Sequence, residues 1–266
     1  MAGRRRLDTE LVRRGLARSR EHAADLVTAG RVQVSGRPSV KPATSIEASV
    51  GIAVQREPAD DYVSRGAHKL AGALLAFAPG LVVRGRRCLD AGASTGGFTD
   101  VLLRKGAAEV VAVDVGYGQL DWRLRTDERV VVHDRTNVRS LSPEMIGGRV
   151  EVTVADLSFI SLRLVLPALS QCTEPDGDLL LMVKPQFEVG RRNLGSGGVV
   201  RDPRQRAEAV RSVAADALAN GWGAAGVAAS PLPGPSGNVE YFLWLRADAS
   251  PLDGAALQAA VDRGPA

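Results

Sequence analysis

The sequence has little of what holds metals or staples small folds: its 266 residues include two cysteines and three histidines. Cys88 and Cys172 show no spacing of a metal site or a disulfide framework, and His22, His68 and His133 are scattered, which excludes both constructions. The thiols read as reduced, in a cytoplasmic protein. Also missing is any run near the roughly 20 apolar residues that a membrane helix requires. The arginine-rich start lacks the apolar stretch of a secretory signal, so neither a membrane span nor export is expected. No internal repeat is present.

What is there suffices for a sizeable core. Hydrophobic residues make up 45% of a chain long enough for one large domain and one small one. Charge divides unevenly. Up to Arg56 there are 11 lysines and arginines against five acids, a net +6, whereas the remainder carries 23 against 25, a net −2. A basic excess confined to one end suggests nucleic acid as partner.

In that basic segment Leu7, Leu11 and Leu16 share a helical face within residues 7 to 17, and Ser19 caps a second helix with Ala23, Leu26 and Val27, closed by Gly30. Val32 to Val34 alternates, Ser35-Gly36 turns the chain, and Val40, Ile46, Val50, Ile52 and Val54 continue in short strands. Residues 1–56 therefore form a helix-helix-sheet module. Residues 57–63, opening with Glu57-Pro-Ala-Asp-Asp61, read as a linker to a domain over 64–246. Residues 247–266 read as a short helix or frayed tail.

The larger region is organised around Cys88-Leu-Asp-Ala-Gly-Ala-Ser-Thr-Gly-Gly-Phe-Thr-Asp100, a short apolar strand, a glycine-rich turn and a helix. It matches neither the phosphate loop that ends in Gly-Lys-Ser/Thr nor the dinucleotide fingerprint. Asp90 can meet a cationic amino group, and Asp114, at the end of the next apolar run, can accept ribose hydroxyls. S-adenosylmethionine fits both ends. The residues assigned to it are Asp90, Gly92, Ala93, Ser94, Thr95, Gly96, Gly97, Phe98, Asp114, Asp134 and Asp156.

Apolar strand-like runs recur at 110–113, 130–132, 150–154, 179–183 and 239–245, with helices at 161–170 and 204–220. Alternation of this kind predicts a mostly parallel sheet with helices on both faces, closed by a hairpin strand. Asp156 and Lys184 directly follow apolar runs, Lys69 sits near a helix start, and Glu240 lies in the last strand. Ligands of open α/β sheets bind at the carboxyl ends of strands, so these four are candidate site residues.

Two resemblances follow. Arg6-Leu-Asp-Thr-Glu-Leu-Val-Arg-Arg-Gly-Leu-Ala-Arg-Ser-Arg20 with Ala29-Gly-Arg-Val-Gln-Val-Ser-Gly-Arg37 resembles the RNA-binding domain named after ribosomal protein four of the small subunit, here S-four-like. Ser64-Arg-Gly-Ala-His-Lys-Leu70, the 90–100 loop, Asp156-Leu-Ser-Phe-Ile-Ser-Leu162, Val183-Lys-Pro-Gln-Phe-Glu188 and Gly197-Gly-Val-Val-Arg-Asp-Pro203 resemble the TlyA family of FtsJ-like methyltransferases. With the N-terminal module the resemblance spans about residues 4 to 246. It implies a Rossmann-like class I S-adenosylmethionine-dependent methyltransferase fold behind a small α+β module. It also implies methyl transfer to a cytidine ribose 2′-hydroxyl in 16S or 23S ribosomal RNA, or in both.

The family's Lys-Asp-Lys-Glu tetrad falls on Lys69, Asp156, Lys184 and Glu240. A ribose hydroxyl is a poor nucleophile, so attack on a sulfonium methyl needs a base and in-line positioning. Lys184 is the expected base and Asp156 its orienting partner, while Glu240 orients Lys69 or the hydroxyl. The resemblance assigns Arg4, Arg6, Arg18, Arg20 and Lys41 to RNA phosphates, and Arg65 joins them as an RNA-binding candidate. Phe159 reads either as a platform for an extruded base or as a core aromatic. The Gly190 to Arg201 loop reads as ordering over RNA or as plain disorder. A base-amino methyltransferase would show Asn/Asp-Pro-Pro-Tyr where Asp156-Leu-Ser-Phe159 stands, and a cytosine-carbon enzyme needs a nucleophilic cysteine. Cys172 instead reads as a partly buried helix-end thiol. The alternative function is a non-catalytic, RNA-binding ribosome-assembly factor that kept the fold. A monomer is expected.

Overall fold

Leu7, Leu11, Ala23, Leu26, Val27, Val32 and Ile46 close over one another as a small core in the computed structural model. The structure describes residues 4–17, 19–39, 41–47, 49–55, 62–190, 194–234 and 236–264. The chain divides into two units, Met1–Asp61 and Tyr62–Ala266. Arg18, Val40, Arg56 and most of the segment read as a linker lie outside the described residues.

In the first unit a strand not anticipated from the sequence, β1 (Arg4–Arg6), precedes α1 (Leu7–Arg13) and pairs antiparallel with β4 (Ser45–Glu47). Three arginines in a row hide a strand from any apolar pattern. The helix expected over 7–17 ends at Arg13 because Gly15 takes φ +68°. Ser19 caps α2 (Arg20–Thr28), its hydroxyl accepting from the His22 amide at 3.1 Å. β2 (Val32–Val34) lies between β3 (Arg37–Pro38) and β5 (Ile52–Val54). Ser35 and Gly36 both have positive φ, the two-residue turn that matches strand twist.

The second unit is built on a seven-stranded sheet. Its elements are α3 (Gly66–Ala76), β6 (Arg87–Ala91), α4 (Gly97–Arg104), β7 (Glu109–Val113), α5 (Trp122–Arg125), β8 (Val130–His133), β9 (Val150–Ala155), α6 (Leu166–Cys172), β10 (Thr173–Val183), α7 (Pro185–Glu188), α8 (Pro203–Ala219), β11 (Gly223–Ala229), β12 (Tyr241–Arg246) and α9 (Gly254–Asp262). The strand order is β11-β12-β10-β9-β6-β7-β8, and β12 runs antiparallel to both of its neighbours. β10, β9, β6, β7 and β8 are parallel. Neighbouring strand residues go to opposite faces: Leu89, Val111 and Leu181 pack with α6, α8 and α9, while Cys88, Val110 and Leu180 pack with α3 and α4. Burial on both faces is why these strands read as unbroken apolar runs. This is the expected Rossmann-like α/β architecture.

Several expectations are corrected. β11, Gly-Ala-Ala-Gly-Val-Ala-Ala, carries too few branched side chains to register as a strand. Of the two readings of residues 247–266, the short helix holds and the frayed tail does not: α9 buries Leu257, Ala260 and Val261 in the core. The last strand begins at Tyr241, so Glu240 precedes it rather than lying within it. Cys172 ends α6 fully buried, not partly so. Burial pushes the Cys88 thiol up to about 12 and the Cys172 thiol up to about 11, which leaves neither usable as a nucleophile.

Candidate active site

The sheet register assembles the site. Ala91 stands opposite Val113 and Ala155, Val113 opposite His133, Ala155 opposite Leu181, and Val183 opposite Tyr241. Gly92, Asp114, Asp134, Asp156 and Lys184 therefore follow the carboxyl ends of adjacent parallel strands. Glu240 joins them because β12 is antiparallel and begins where β10 ends. Lys69 reaches its partner there from α3. One edge of one sheet thus carries residues drawn from seven separate stretches of chain.

Two ion pairs result, the first buried on both sides and the second between a buried lysine and a half-buried aspartate. The Lys69 Nζ donates to Glu240 Oε2 at 2.5 Å, with the residues 9% and 1% exposed. The Lys184 Nζ lies 2.6 Å from Asp156 Oδ1 and donates to Ser158 Oγ at 2.9 Å. Buried ammonium groups are costly without such partners. A Cβ on Gly234 would stand 2.6 Å from Glu240 Oε1, so the loop before β12 closes over this carboxylate only because glycine is there. Asn238 ties that loop to the next: its Oδ1 accepts from the Val200 amide at 2.9 Å and its Nδ2 donates to the Gly198 carbonyl at 3.0 Å. Arg191, Arg192 and Asn193, in the loop expected to order over RNA, lie outside the described residues.

Beside the pairs lies a cleft of about 410 Å³ lined by Gly92, Ser94, Asp114, Gln119, Asn137 and Asp156, among others. Gly92 has φ +88°, and a Cβ there would meet the Asp156 carbonyl oxygen at 2.7 Å, so backbone lines the cleft where a side chain would fill it. Asp114 accepts from the amides of Ser94 at 2.8 Å and Gly116 at 2.7 Å, which holds the glycine turn against the next one. Asp134 accepts from Arg125 at 2.5 Å and from the Gly118 amide at 3.3 Å. Ser94 and Thr95 are exposed, and Ala93, Gly96 and Gly97 are buried. Phe98, expected to touch a cofactor, instead stacks on Phe242 at 6.1 Å within the core, because helical spacing turns it inward.

Asp90 is the anomaly. It is fully buried, and Oδ2 accepts from Thr99 Oγ1 at 2.7 Å, but Oδ1 has no hydrogen-bond partner. Burial raises the carboxyl to about 7, opposed by the Thr99 bonds and reinforced by Asp156 and Asp114. A buried oxygen left unsatisfied two residues before the cleft's glycine fits a cationic ligand group.

Phe159 is 90% exposed at φ +64°, its ring 5.3 Å from that of Phe187, so the core reading of Phe159 fails. Residues given no role by sequence reasoning include Gln119, Asn137, Ser158 and Asn238, all in loops without periodic pattern, and Glu188 at the end of the short α7. Tyr117 and Trp122 were also missed; they are 69% and 73% exposed, and Arg135 lies 4.4 Å over the Tyr117 ring. Arg65 is exposed.

In the first unit, Arg4 and Lys41 are exposed, with Arg4 donating to the Ser45 carbonyl at 3.0 Å. Arg6 grips Asp8 through Nε at 3.1 Å and Nη2 at 2.7 Å, and Arg20 reaches the same carboxylate at 3.3 Å. Arg13 and Arg14 close on Glu10 at 2.5 and 2.8 Å. Hydrogen bonds from Arg6 hold Asp8 well below the usual carboxylate range, and those from Arg13 and Arg14 bring Glu10 down to about 2.

Comparison with known proteins agrees with this division. The model of the FtsJ-like methyltransferase family matches residues 62–247, and that of the S4 domain matches 5–49. The chain is 63% identical, over 92% of its length and 91% of the relative's, to the 16S/23S rRNA (cytidine-2′-O)-methyltransferase TlyA of Mycobacterium tuberculosis. It is 36% identical, over 89% of its length and 98% of the relative's, to Hemolysin A of Brachyspira hyodysenteriae. A solved structure from Streptococcus thermophilus that carries a haemolysin name superposes with a TM-score of 0.76 at 37% identity, covering 99% of this chain and 96% of that one. The chain belongs to the FtsJ-like methyltransferase family, as a member of the TlyA family that carries an S4 domain ahead of the methyltransferase domain.

Proposed function

We propose that the second unit transfers a methyl group from S-adenosylmethionine to the ribose 2′-hydroxyl of cytidines in 16S and 23S ribosomal RNA, and that the S4 unit supplies affinity for RNA. The observation that carries this reading is the two buried lysines, each paired with a carboxylate, at the edge of the sheet where Asp90 keeps an unsatisfied oxygen. The substrate comes from the Mycobacterium tuberculosis relative, named as acting on both RNAs. A cytoplasmic location and a monomer go with it.

The cleft fits the donor. Asp90 Oδ1 would take its amino group, the remaining lone pairs of Asp114 its ribose hydroxyls, and the Gly92 backbone allows close approach. When bound, S-adenosylmethionine supplies an electrophilic methyl group. Lys184, steadied by Asp156 and Ser158, takes the proton of the attacking hydroxyl. A lysine is ordinarily an ammonium at neutral pH, so it must first release its own proton. Lys69, held by Glu240, stabilises charge developing on the ribose oxygen. Phe159 receives the extruded base on its exposed ring, and Arg4, Arg6, Arg18, Arg20, Lys41 and Arg65 track phosphates.

The test is transfer of labelled methyl into purified, unmethylated small and large subunits by wild type and Lys184→Ala, with the modified ribose mapped. Label from wild type alone supports the reading. No label despite cofactor binding indicates the non-catalytic assembly factor.

A further inference from the structure

Glu188 ends α7 one turn after Lys184, and none of the steps above uses it. Both of its oxygens are committed: Oε2 accepts from Ser161 Oγ at 2.5 Å and Oε1 from the Leu162 amide at 2.8 Å. Burial raises its carboxyl, with the bonds from Ser161 and Leu162 opposing that rise. Its partners sit just beyond Phe159, on the stretch that begins with Asp156.

That stretch needs holding. Phe159 is not glycine, yet its φ is +64°, a left-handed conformation that is unfavourable for a residue with a Cβ. One end is fixed where the Asp156 amide donates to the Ala91 carbonyl at 3.1 Å. The other end is fixed by Glu188. Between them Lys184 bonds to Asp156 and Ser158, and the Phe187 ring meets that of Phe159. Residues 184–188 and 156–162 therefore form one cross-linked piece that carries both the amine and the exposed ring.

We infer that Glu188 is a positioning residue: it latches the Phe159 turn to α7, so that the ring receiving the base and the amine receiving the proton keep one mutual geometry. The inference rests on the function proposed above. A latch of this kind acts through the geometry of its two hydrogen bonds. Glutamine can reproduce it, because its carbonyl keeps the Leu162 amide and the Ser161 hydroxyl can turn to accept from its NH₂.

The experiment measures kcat and KM for ribosomal subunits, affinity for S-adenosylmethionine and melting temperature in full-length wild type, Glu188→Ala, Glu188→Gln, Ser161→Ala, Phe159→Ala and the double variant Glu188→Ala/Phe159→Ala. Glu188→Ala should lower kcat/KM for RNA on the order of tenfold to a hundredfold, the size of effect a small misplacement produces. Glu188→Gln should stay within about threefold of wild type. With Phe159 already removed, Glu188→Ala should add much less than it does alone, since contacting residues are not additive. Equal damage from Gln and Ala, wild-type behaviour of Ala, or additive losses would each overturn the inference. So would a fall in cofactor affinity and melting temperature that fully accounts for the lost activity. If Glu188→Ala does not fold, Ser161→Ala with and without Phe159→Ala makes the same comparison. Wild type inert on both subunits overturns the proposed function and this inference together, whereas active wild type with unaffected Glu188→Ala overturns only the latch.

Discussion

Asp8 and Glu10 in the first unit and Asp90 in the second are all buried, at 4%, 0% and 0% exposed, yet they stand in opposite electrostatic states. The first two are gripped by arginines of their own unit and held as carboxylates, Glu10 down to about 2. Asp90 has one threonine hydroxyl and no cation, and sits at about 7. Where the chain supplies its own counter-ions, buried charge is part of the fold. Where it withholds one, as at Asp90, the proposed function gives the charge to a ligand. Two of the arginines assigned to RNA also serve the fold: Arg6 and Arg20 hold Asp8, while half or more of each side chain remains exposed, 50% and 62%.

Self-neutralisation alone does not mark a structural group, because Lys184 and Asp156, proposed as base and orienting partner, also pair with each other. The largest expected effect separates these cases. Lys184→Ala should lower kcat for methyl transfer by about 10²- to 10⁴-fold, the range for a positioned acid or base, while Arg14→Ala in the first unit leaves kcat at saturating RNA unchanged. Single-turnover assays on ribosomal subunits check both, and an inert Arg14→Ala would break the distinction. Next comes Asp90→Asn. It should weaken S-adenosylmethionine binding on the order of a hundredfold, the worth of a charge-assisted bond. At about pH 8 it should also stabilise the cofactor-free protein by a few kcal/mol, because it removes a buried charge. Calorimetric titration and thermal melts read the two effects, and loss of stability would make Asp90 structural after all.

Legibility in the sequence followed the same physics. The parallel strands were visible because burial on both faces forces apolar runs, and the strand-end residues Asp156 and Lys184 were visible as the polar residues that break those runs. Glu240 was placed inside a strand because Val239 continues its apolar pattern. β11 was missed and α9 left undecided between helix and frayed tail, because glycine and alanine pack well while carrying little pattern. Ser158 and Glu188 stand inside the motifs that carry the family resemblance, but their roles, like that of Asn238, depend on segments that meet only after folding. The commitment of Arg6 to Asp8 was equally hidden, a two-residue spacing with no helical or strand signature.

A smaller effect sharpens the Asp90 side of the comparison. Its folded carboxyl lies near 7, above its unfolded value of 3.8, so ionisation opposes folding, and stability falls as pH rises between those values. Binding a cationic amino group runs the other way and favours the ionised form. Affinity for S-adenosylmethionine should therefore drop by about tenfold per unit below pH 7 and level off above it. Asp90→Asn should flatten the profile between about pH 5.5 and 8. An unchanged slope in the variant would assign the titration to another group.

The smallest effect lies in the first unit and has the opposite sign. Glu10 is lowered from 4.5 to about 2, first by the hydrogen bonds from Arg13 and Arg14. Its stabilising contribution is complete above about pH 4.5 and disappears as pH falls through about 2, where the folded carboxylate takes up its proton. The folded-state Asp90 is already protonated throughout that window, so acid should loosen the first unit without loosening this part of the second. Amide hydrogen exchange at about pH 3 and pH 6, corrected for intrinsic rates, should show protection lost in Leu7–Arg13 but retained in Arg87–Ala91. Glu10→Gln should already exchange faster in Leu7–Arg13 at pH 6 and show less further loss at pH 3. Equal acid losses in both segments of wild type would mean that the arginine clasp on Glu10 is not what separates the two units.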